Sequence, residues 1–284
     1  MSDNKQRREE ALRDLEKEIA SRDRAERLKP LGLILTAALA IVVIVGGVVL
    51  AVKYTGDDAS NSAAESIDQE NSFAAEPLTL ARAESLQDTV SCDYAESGTA
   101  AKKVSLPDTS NIQATGTVSA TMTTNSGEIN LDLDRSVSPC TVNAFTHLAS
   151  EGYFNDTVCH RLTTSEGLKV LQCGDPTGTG TGGPGFSFAN EYPTDEASED
   201  AATLPVIYPR GAIAMANSGP DTNGSQFFLN YGDSTLPPQY TYFGKIDEAG
   251  LKTLDAIAKE GVDGDAMDGA PAKEVKISKV TVGS

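Results

Sequence analysis

Hydrophobic and polar residues change rhythm several times along the 284-residue chain. Residues 2–29 mix charges of both signs with Leu12, Leu15, Ile19 and Leu28 at near-helical spacing, which predicts a solvated helix laced with i,i+4 ion pairs. Leu31 to Val52 is an unbroken run of 22 uncharged, mostly apolar residues. Residues 54–115 are rich in Ala, Ser, Asp and Glu and show little apolar periodicity, so they predict a mostly flexible spacer. Regular patterning starts near Thr117. Val118 to Thr124 and Glu128 to Leu133 flank Asn125-Ser126-Gly127, a hairpin signal, with Ile129, Leu131 and Leu133 alternating onto one face. Ser138-Pro139 supplies an N-cap and a first-turn proline for a helix whose stripe is Val142, Phe145, Leu148 and Ala149 and whose stop is Gly152. Short strands follow, then a second helix on Leu251, Leu254, Ile257 and Ala258 that ends before Gly261, and a closing strand with Val275, Ile277 and Val280. Many short strands, two helices and glycine-rich turns predict a mainly antiparallel β fold, a closed barrel capped by helices.

The apolar run changes the picture most. At 1.5 Å per residue it is long enough to cross a hydrocarbon core of roughly 30 Å. It is also longer than the core of a cleaved signal peptide, about 7–15 residues. Arg13, Lys17, Arg22, Arg24, Arg27 and Lys29 precede it, whereas Lys53 stands alone in the stretch after it. The positive-inside bias therefore predicts a single-pass cell-membrane protein with a cytoplasmic N-terminus and an extracytoplasmic C-terminal domain. The expected divisions are a charged segment at 1–30, a membrane anchor at 31–53, an acidic linker at 54–115 and a folded domain at 116–284. Most of the net charge of −18 lies beyond the anchor, which argues against nucleic acid as a partner.

All four cysteines, Cys92, Cys140, Cys159 and Cys173, fall on the predicted outer side, where disulfides persist. Three pairings are open. If residues 159–164 and 169–173 are paired strands with Arg161 and Gln172 on one face, Cys159 shares that face and Cys173 points away. Strand parity then favours Cys140 with Cys173 over Cys159 with Cys173, and buried free thiols are the alternative. Cys92-Asp93-Tyr94 is the one part of the spacer expected to tether to the domain.

Two segments hold the candidate chemistry. Cys159-His160-Arg161 leads to Leu171-Gln172-Cys173-Gly174-Asp175, and Met215-Ala216-Asn217-Ser218-Gly219-Pro220 leads to Asn223-Gly224-Ser225-Gln226-Phe227-Phe228. They supply a guanidinium, side-chain amides, apolar groups and glycine-rich loops without a metal cluster or a phosphate loop. Adjacent Cys159 and His160 make a poor nucleophile pair because neighbouring strand residues point to opposite faces. The run Gly178 to Gly183 lacks a following Gly-Lys-Ser/Thr and reads as a surface loop beside the site. Asn155-Asp156-Thr157 and Asn223-Gly224-Ser225 fit a glycosylation sequon, relevant only in a eukaryotic secretory setting. Glu191 to Asp200 reads as a solvated acidic insertion.

The stretch Arg210 to Phe228, together with His160-Arg161, Gln172, Gly174-Asp175 and Gly180-Thr181-Gly182-Gly183, resembles the cyclophilin family of peptidyl-prolyl cis/trans isomerases over about residues 117–283. About three extra residues between Arg161 and Gln172, and Leu236-Pro237-Pro238, look most like its membrane-anchored actinobacterial members. The resemblance implies a closed, eight-stranded antiparallel barrel capped by two helices, proline-containing polypeptides as partners and no cofactor or metal. Rotation about an X–Pro bond breaks amide resonance against a barrier of about 18–20 kcal/mol. In the twisted state the prolyl nitrogen regains a lone pair, and a donor that bonds it only there lowers the barrier. By resemblance Arg161 is that donor, and its permanent charge and fixed N–H groups suit it. Gln172 and Asn217 would hold the substrate backbone, with Ala216 beside them. Phe228, Val170, Met215 and Leu236 would form the cup for the proline ring, with Phe227 in the core. Gln226 would line the entrance, and Tyr240 stands where the family usually has histidine. Cys159 and Lys169 fall at or near usual aromatics, and the chain lacks tryptophan, which implies weak cyclosporin binding. The readings from other classes are a proline-segment holdase of the same fold with little turnover and a structural envelope protein.

Overall fold

The computed structural model describes residues 75–198 and 202–283. The charged segment and the apolar run predicted to span a membrane lie outside them. Among the described residues no helix is long and apolar enough to cross a membrane.

The principal sheet is built from β1 (Thr117–Thr124), β2 (Gly127–Asp134), β3 (Thr157–Val158), β4 (Arg161–Thr163), β5 (Val170–Cys173), β6 (Ala212–Met215), β7 (Phe227–Asn230), β8 (Tyr242–Ile246), β9 (Asp268–Gly269) and β10 (Lys276–Val282). Its order is β9-β4-β5-β7-β6-β8-β2-β1-β10-β3. β1 and β2 form the expected hairpin, pairing from Thr117 with Asp134 to Thr124 with Gly127. Alternation sends Val118, Ala120 and Met122 inward from β1, and Ile129, Leu131 and Leu133 inward from β2. The sheet has ten strands rather than eight, and its ladder is not closed among the described residues. β3 and β4 lie near opposite ends of the strand order, yet only Cys159 and His160 separate them in the chain. The chain here leaves one partner for another, since Cys159 N–H donates to Val275 O while Arg161 pairs with Gln172.

Helix α1 (Pro139–Ser150) buries Val142, Phe145, Leu148 and Ala149 as its spacing predicts. Ser138 is at the N-cap position but does not cap with its side chain, and its hydroxyl instead donates to Tyr242 O at 2.7 Å. The cap comes from Glu191, whose carboxylate accepts from the N–H groups of Cys140 and Thr141 and from the Thr141 hydroxyl at 2.7–3.0 Å. The start of the predicted solvated insertion is therefore a buried carboxylate facing the orphan donors of a helix. Helix α2 (Glu248–Glu260) buries Leu251, Leu254 and Ile257, with Asp247 capping Gly250 N–H at 2.6 Å. Phe145 packs its ring within 5.0–5.5 Å of Phe154, Phe227 and Phe243 to form the centre of the larger core.

Residues 75–115 differ from the flexible spacer read from their composition. Leu78, Cys92, Tyr94, Ile112 and Ala114 are buried. Residues 76–77 pair with 206–207, 89–90 with 112–113, and 95–96 with 186–187. Cys92 is bridged to Cys140, the tether expected at this point, and Cys159 to Cys173. The favoured Cys140–Cys173 pairing is thus wrong. Parity holds only within a continuous strand, and Cys159 lies in the irregular step between β3 and β4.

Candidate active site

β4, β5, β6 and β7 bring the two motif segments together. The register pairs Arg161 with Gln172, Gln172 with Phe228, and Ala214 with Phe228. Alternation along β6 and β7 sorts their side chains between two clusters. Ile213, Met215, Phe227 and Leu229 enter the larger core, while Ala212, Ala214 and Phe228 join Val170, Tyr208 and Tyr242 in a smaller one. Above the smaller cluster lies a cavity of about 210 Å³. Its lining contains eight of the expected residues, Arg161, Val170, Gln172, Ala216, Asn217, Phe228, Leu236 and Tyr240. Leu168 completes it; no motif singled it out, because it lies in the stretch with extra residues.

Met215 does not line this cavity. Its parity on β6 is that of Ile213, and it is 2% exposed within the larger core. Gln226 lies beside the cavity rather than in it. It accepts from Gln172 Nε2 at 3.0 Å and donates to the carbonyls of Gly180 and Gly182, each at 3.0 Å.

Phe228 forms apolar wall, with the rings of Tyr208 and Tyr240 edge-on at 6.3 and 5.6 Å. Arg161 faces the same space and is held on two sides. Nε and Nη2 donate to the two oxygens of Asp268 at 2.7 Å each, and Nη1 donates to Gln172 Oε1 at 3.2 Å. Three of the five guanidinium N–H groups are thereby engaged, and the remaining two can serve a ligand. The Asp268 carboxylate raises the arginine pKa further, and hydrogen bonding from Arg161 holds the carboxyl below its ordinary range. Asp268 was not legible as a site residue, because it lies 107 residues from Arg161 and is brought there by the two-residue strand β9.

Asn217 is partly committed to its own loop. Its Nδ2 donates to Gln239 O at 2.8 Å and its Oδ1 accepts from Gly219 N–H at 3.2 Å. The glycine loop wraps a protein carboxylate: Asp175 accepts from the N–H groups of Thr177, Gly180 and Gly182 at 2.7–3.0 Å. Burial alone would raise the Asp175 pKa, but these donors outweigh it and hold the group below its usual range. Cys159 and Cys173 are joined, so no thiolate is available beside His160. Burial lowers the His160 pKa, with Asp175 opposing and Arg161 reinforcing the shift. The arrangement offers a fixed cation and amides around an apolar cup, suited to gripping a polypeptide and stabilising one of its conformers.

A family model described as cyclophilin type peptidyl-prolyl cis-trans isomerase/CLD matches residues 119–282. A protein of Mycobacterium tuberculosis (strain ATCC 25618 / H37Rv) named probable peptidyl-prolyl cis-trans isomerase B is 58% identical over 193 residues. The match covers 66% of this chain and 63% of that protein. A Mycobacterium leprae (strain TN) protein of the same name is 56% identical over 195 residues, covering 67% of this chain and 66% of its own length. The chain thus spans less than two thirds of these relatives. A solved Cryptosporidium parvum cyclophilin type peptidyl-prolyl cis-trans isomerase is 32% identical, with a TM-score of 0.48, and covers 60% of this chain and 99% of its own.

Proposed function

The chain belongs to the cyclophilin-type peptidyl-prolyl cis-trans isomerase family, and from that premise we propose that it accelerates rotation about X–Pro bonds in exported or envelope polypeptides. The observation that carries the reading is the Arg161 guanidinium beside the Phe228 cup, both on the lining of one cavity. A proline ring in the cup puts its nitrogen near a cation that stays protonated at any physiological pH. The planar amide nitrogen has no lone pair to offer, whereas the twisted one does. Arg161 therefore bonds the twisted state better than either planar isomer, and each 1.4 kcal/mol of that difference is a tenfold gain in rate. Gln172 and Asn217 hold the backbone on either side, and Tyr240 closes the cup with a flat face. No bond is made or broken, and the step needs no cofactor.

The apolar run Leu31 to Val52 and the lysines and arginines before it support display of this domain outside a membrane. The bridging of all four cysteines supports an oxidising compartment. The lack of any tryptophan supports weak cyclosporin binding, which a fluorescence titration showing tight binding would overturn.

The deciding experiment compares exchange rates of a proline peptide, by NMR, with the full chain and with Arg161→Ala. Isomerase function predicts a loss of about 100-fold or more in rate with a modest loss of affinity. Binding of the peptide by wild type without any rate enhancement would instead establish a holdase.

A further inference from the structure

A second groove, of about 610 Å³, adjoins the proline cup and shares Gln172, Ala216 and Asn217 with it. A polypeptide seated in the cup can therefore reach the groove with a residue that flanks the proline. One wall is made by Ser97, Gly98 and Thr99, which precede the family match at 119–282. That wall is firmly built. Residues 95–96 pair antiparallel with 186–187, and the N–H groups of Ser97 and Ala101 donate to Gly185 O and Gly183 O, each at 2.9 Å.

Both ends of the segment are pinned. Upstream, Cys92 is bridged to Cys140, and Tyr94 sits edge-on to Phe186 and Phe188 at 5.7 Å while its hydroxyl donates to Cys140 O at 2.8 Å. Downstream, the Lys102 ammonium donates to the carbonyls of Gly152, Tyr153 and Asn155 at 2.5–3.3 Å, just beyond the C-terminus of α1. Between these anchors the Ser97 and Thr99 side chains are exposed. Their hydroxyls have no hydrogen-bond partner among the described residues.

The lining of the groove is rich in hydroxyls, amides and backbone groups and contains no ionisable side chain. A charged substrate side chain entering it would shed water without gaining a counter-ion, whereas an amide or hydroxyl would find partners. We propose that Ser97, Gly98 and Thr99 are specificity-determining residues: with Gln226 they receive an uncharged, hydrogen-bonding side chain next to the substrate proline. This rests on the isomerase reading for the seating of the proline.

The test uses the full chain and X–Pro peptides in which each of three residues on either side of the proline is set in turn to Ala, Asn or Glu. At one position Asn is expected to exceed Glu in kcat/KM by about tenfold. Thr99→Lys supplies the missing counter-ion and is expected to invert that ratio. Glu128→Gln, an equal change in net charge on an exposed residue outside the groove, leaves the ratio as in wild type. Ser97→Lys replaces Thr99→Lys if circular dichroism shows that the latter does not fold. No preference at any position in wild type, or the same ratio with and without the new lysine, overturns the proposal. If wild type turns over no peptide at all, the isomerase reading has failed separately. The groove is then judged by amide shifts of Ser97 to Thr99 on adding the Asn peptides: their movement supports it and their stillness overturns it.

Discussion

Arg161 and Asp268 form a two-point clamp in which Nε and Nη2 of the guanidinium meet the two carboxylate oxygens at 2.7 Å. The pair is half exposed, with 38% and 52% of the side chains accessible, so solvent screens its contribution to stability. Its effect is on direction, because a planar fork held along one edge presents its remaining N–H groups in fixed positions. Asp268→Ala is expected to lower kcat by about tenfold with KM nearly unchanged, and to shift unfolding by no more than about 1 kcal/mol. Asp268→Asn, which keeps one acceptor, should fall between. An equal loss of affinity and rate would mean that Asp268 acts in binding rather than in positioning Arg161.

Phe227 and Phe228 are neighbours with opposite surroundings. Phe227 packs edge-on to Phe145 and Phe154, and Phe228 lines the cavity. Phe227→Ala should destabilise by about 3–5 kcal/mol in denaturant unfolding. Phe228→Ala should cost less stability, because one side of its ring already faces open space, but should raise KM for proline peptides by about tenfold or more. Similar profiles for the two variants would contradict the assignment of faces.

The two disulfides close loops of different length, with sequence separations of 48 and 14. Loop entropy assigns the longer about 4 kcal/mol and the shorter about 3 kcal/mol. Replacing Cys92 and Cys140 with serine should therefore lower Tm more than replacing Cys159 and Cys173. The Cys159 and Cys173 replacement should change peptide kinetics more, since those residues adjoin His160-Arg161 and Gln172.

His160 is held below its ordinary value of about 6.5, first by burial. The unfolded chain therefore binds this proton more readily than the folded one, and stability falls as pH drops below about 6.5. Asp175 and Asp268 are also lowered, but from about 3.9, so the stability they add is present throughout that window and is lost only at lower pH. Burial raises the Glu191 pKa, which adds stability as pH falls and opposes this trend, so the test is a difference: from pH 7 to pH 5 wild type should lose more Tm, or gain less, than His160→Gln. An identical slope in the variant would show that another group is responsible.

What the sequence could reveal was set by how local each feature is. The hairpin at Asn125-Ser126 and both helical stripes follow from periods of two and 3.6, the opposite placing of Phe227 and Phe228 follows from the family resemblance, and all are found. Met215 obeys the same period, which sends it to the core despite its place in the motif. Asp268 and Glu191 act through partners 107 and about 50 residues away, a separation no periodicity encodes. Strand parity does not predict the Cys159–Cys173 bridge, because the strand is interrupted at the step that holds Cys159. Residues 75–115 read as a flexible spacer because their sparse apolar groups are fixed by one covalent bond, three short strand pairings and a few aromatic contacts, which average composition does not register.

That last feature bears on how the protein can be dissected. A fragment trimmed to the start of the family match at 119 would strip Tyr94 from Phe186 and Phe188, leave Cys140 as an orphan thiol and uncap the carbonyls held by Lys102. Two aromatic rings and a reactive sulfur on one surface invite clumping and mispaired dimers. Poor yield from so short a piece would report on where it was cut, whereas one that begins ahead of residue 75 keeps the strap that buries them.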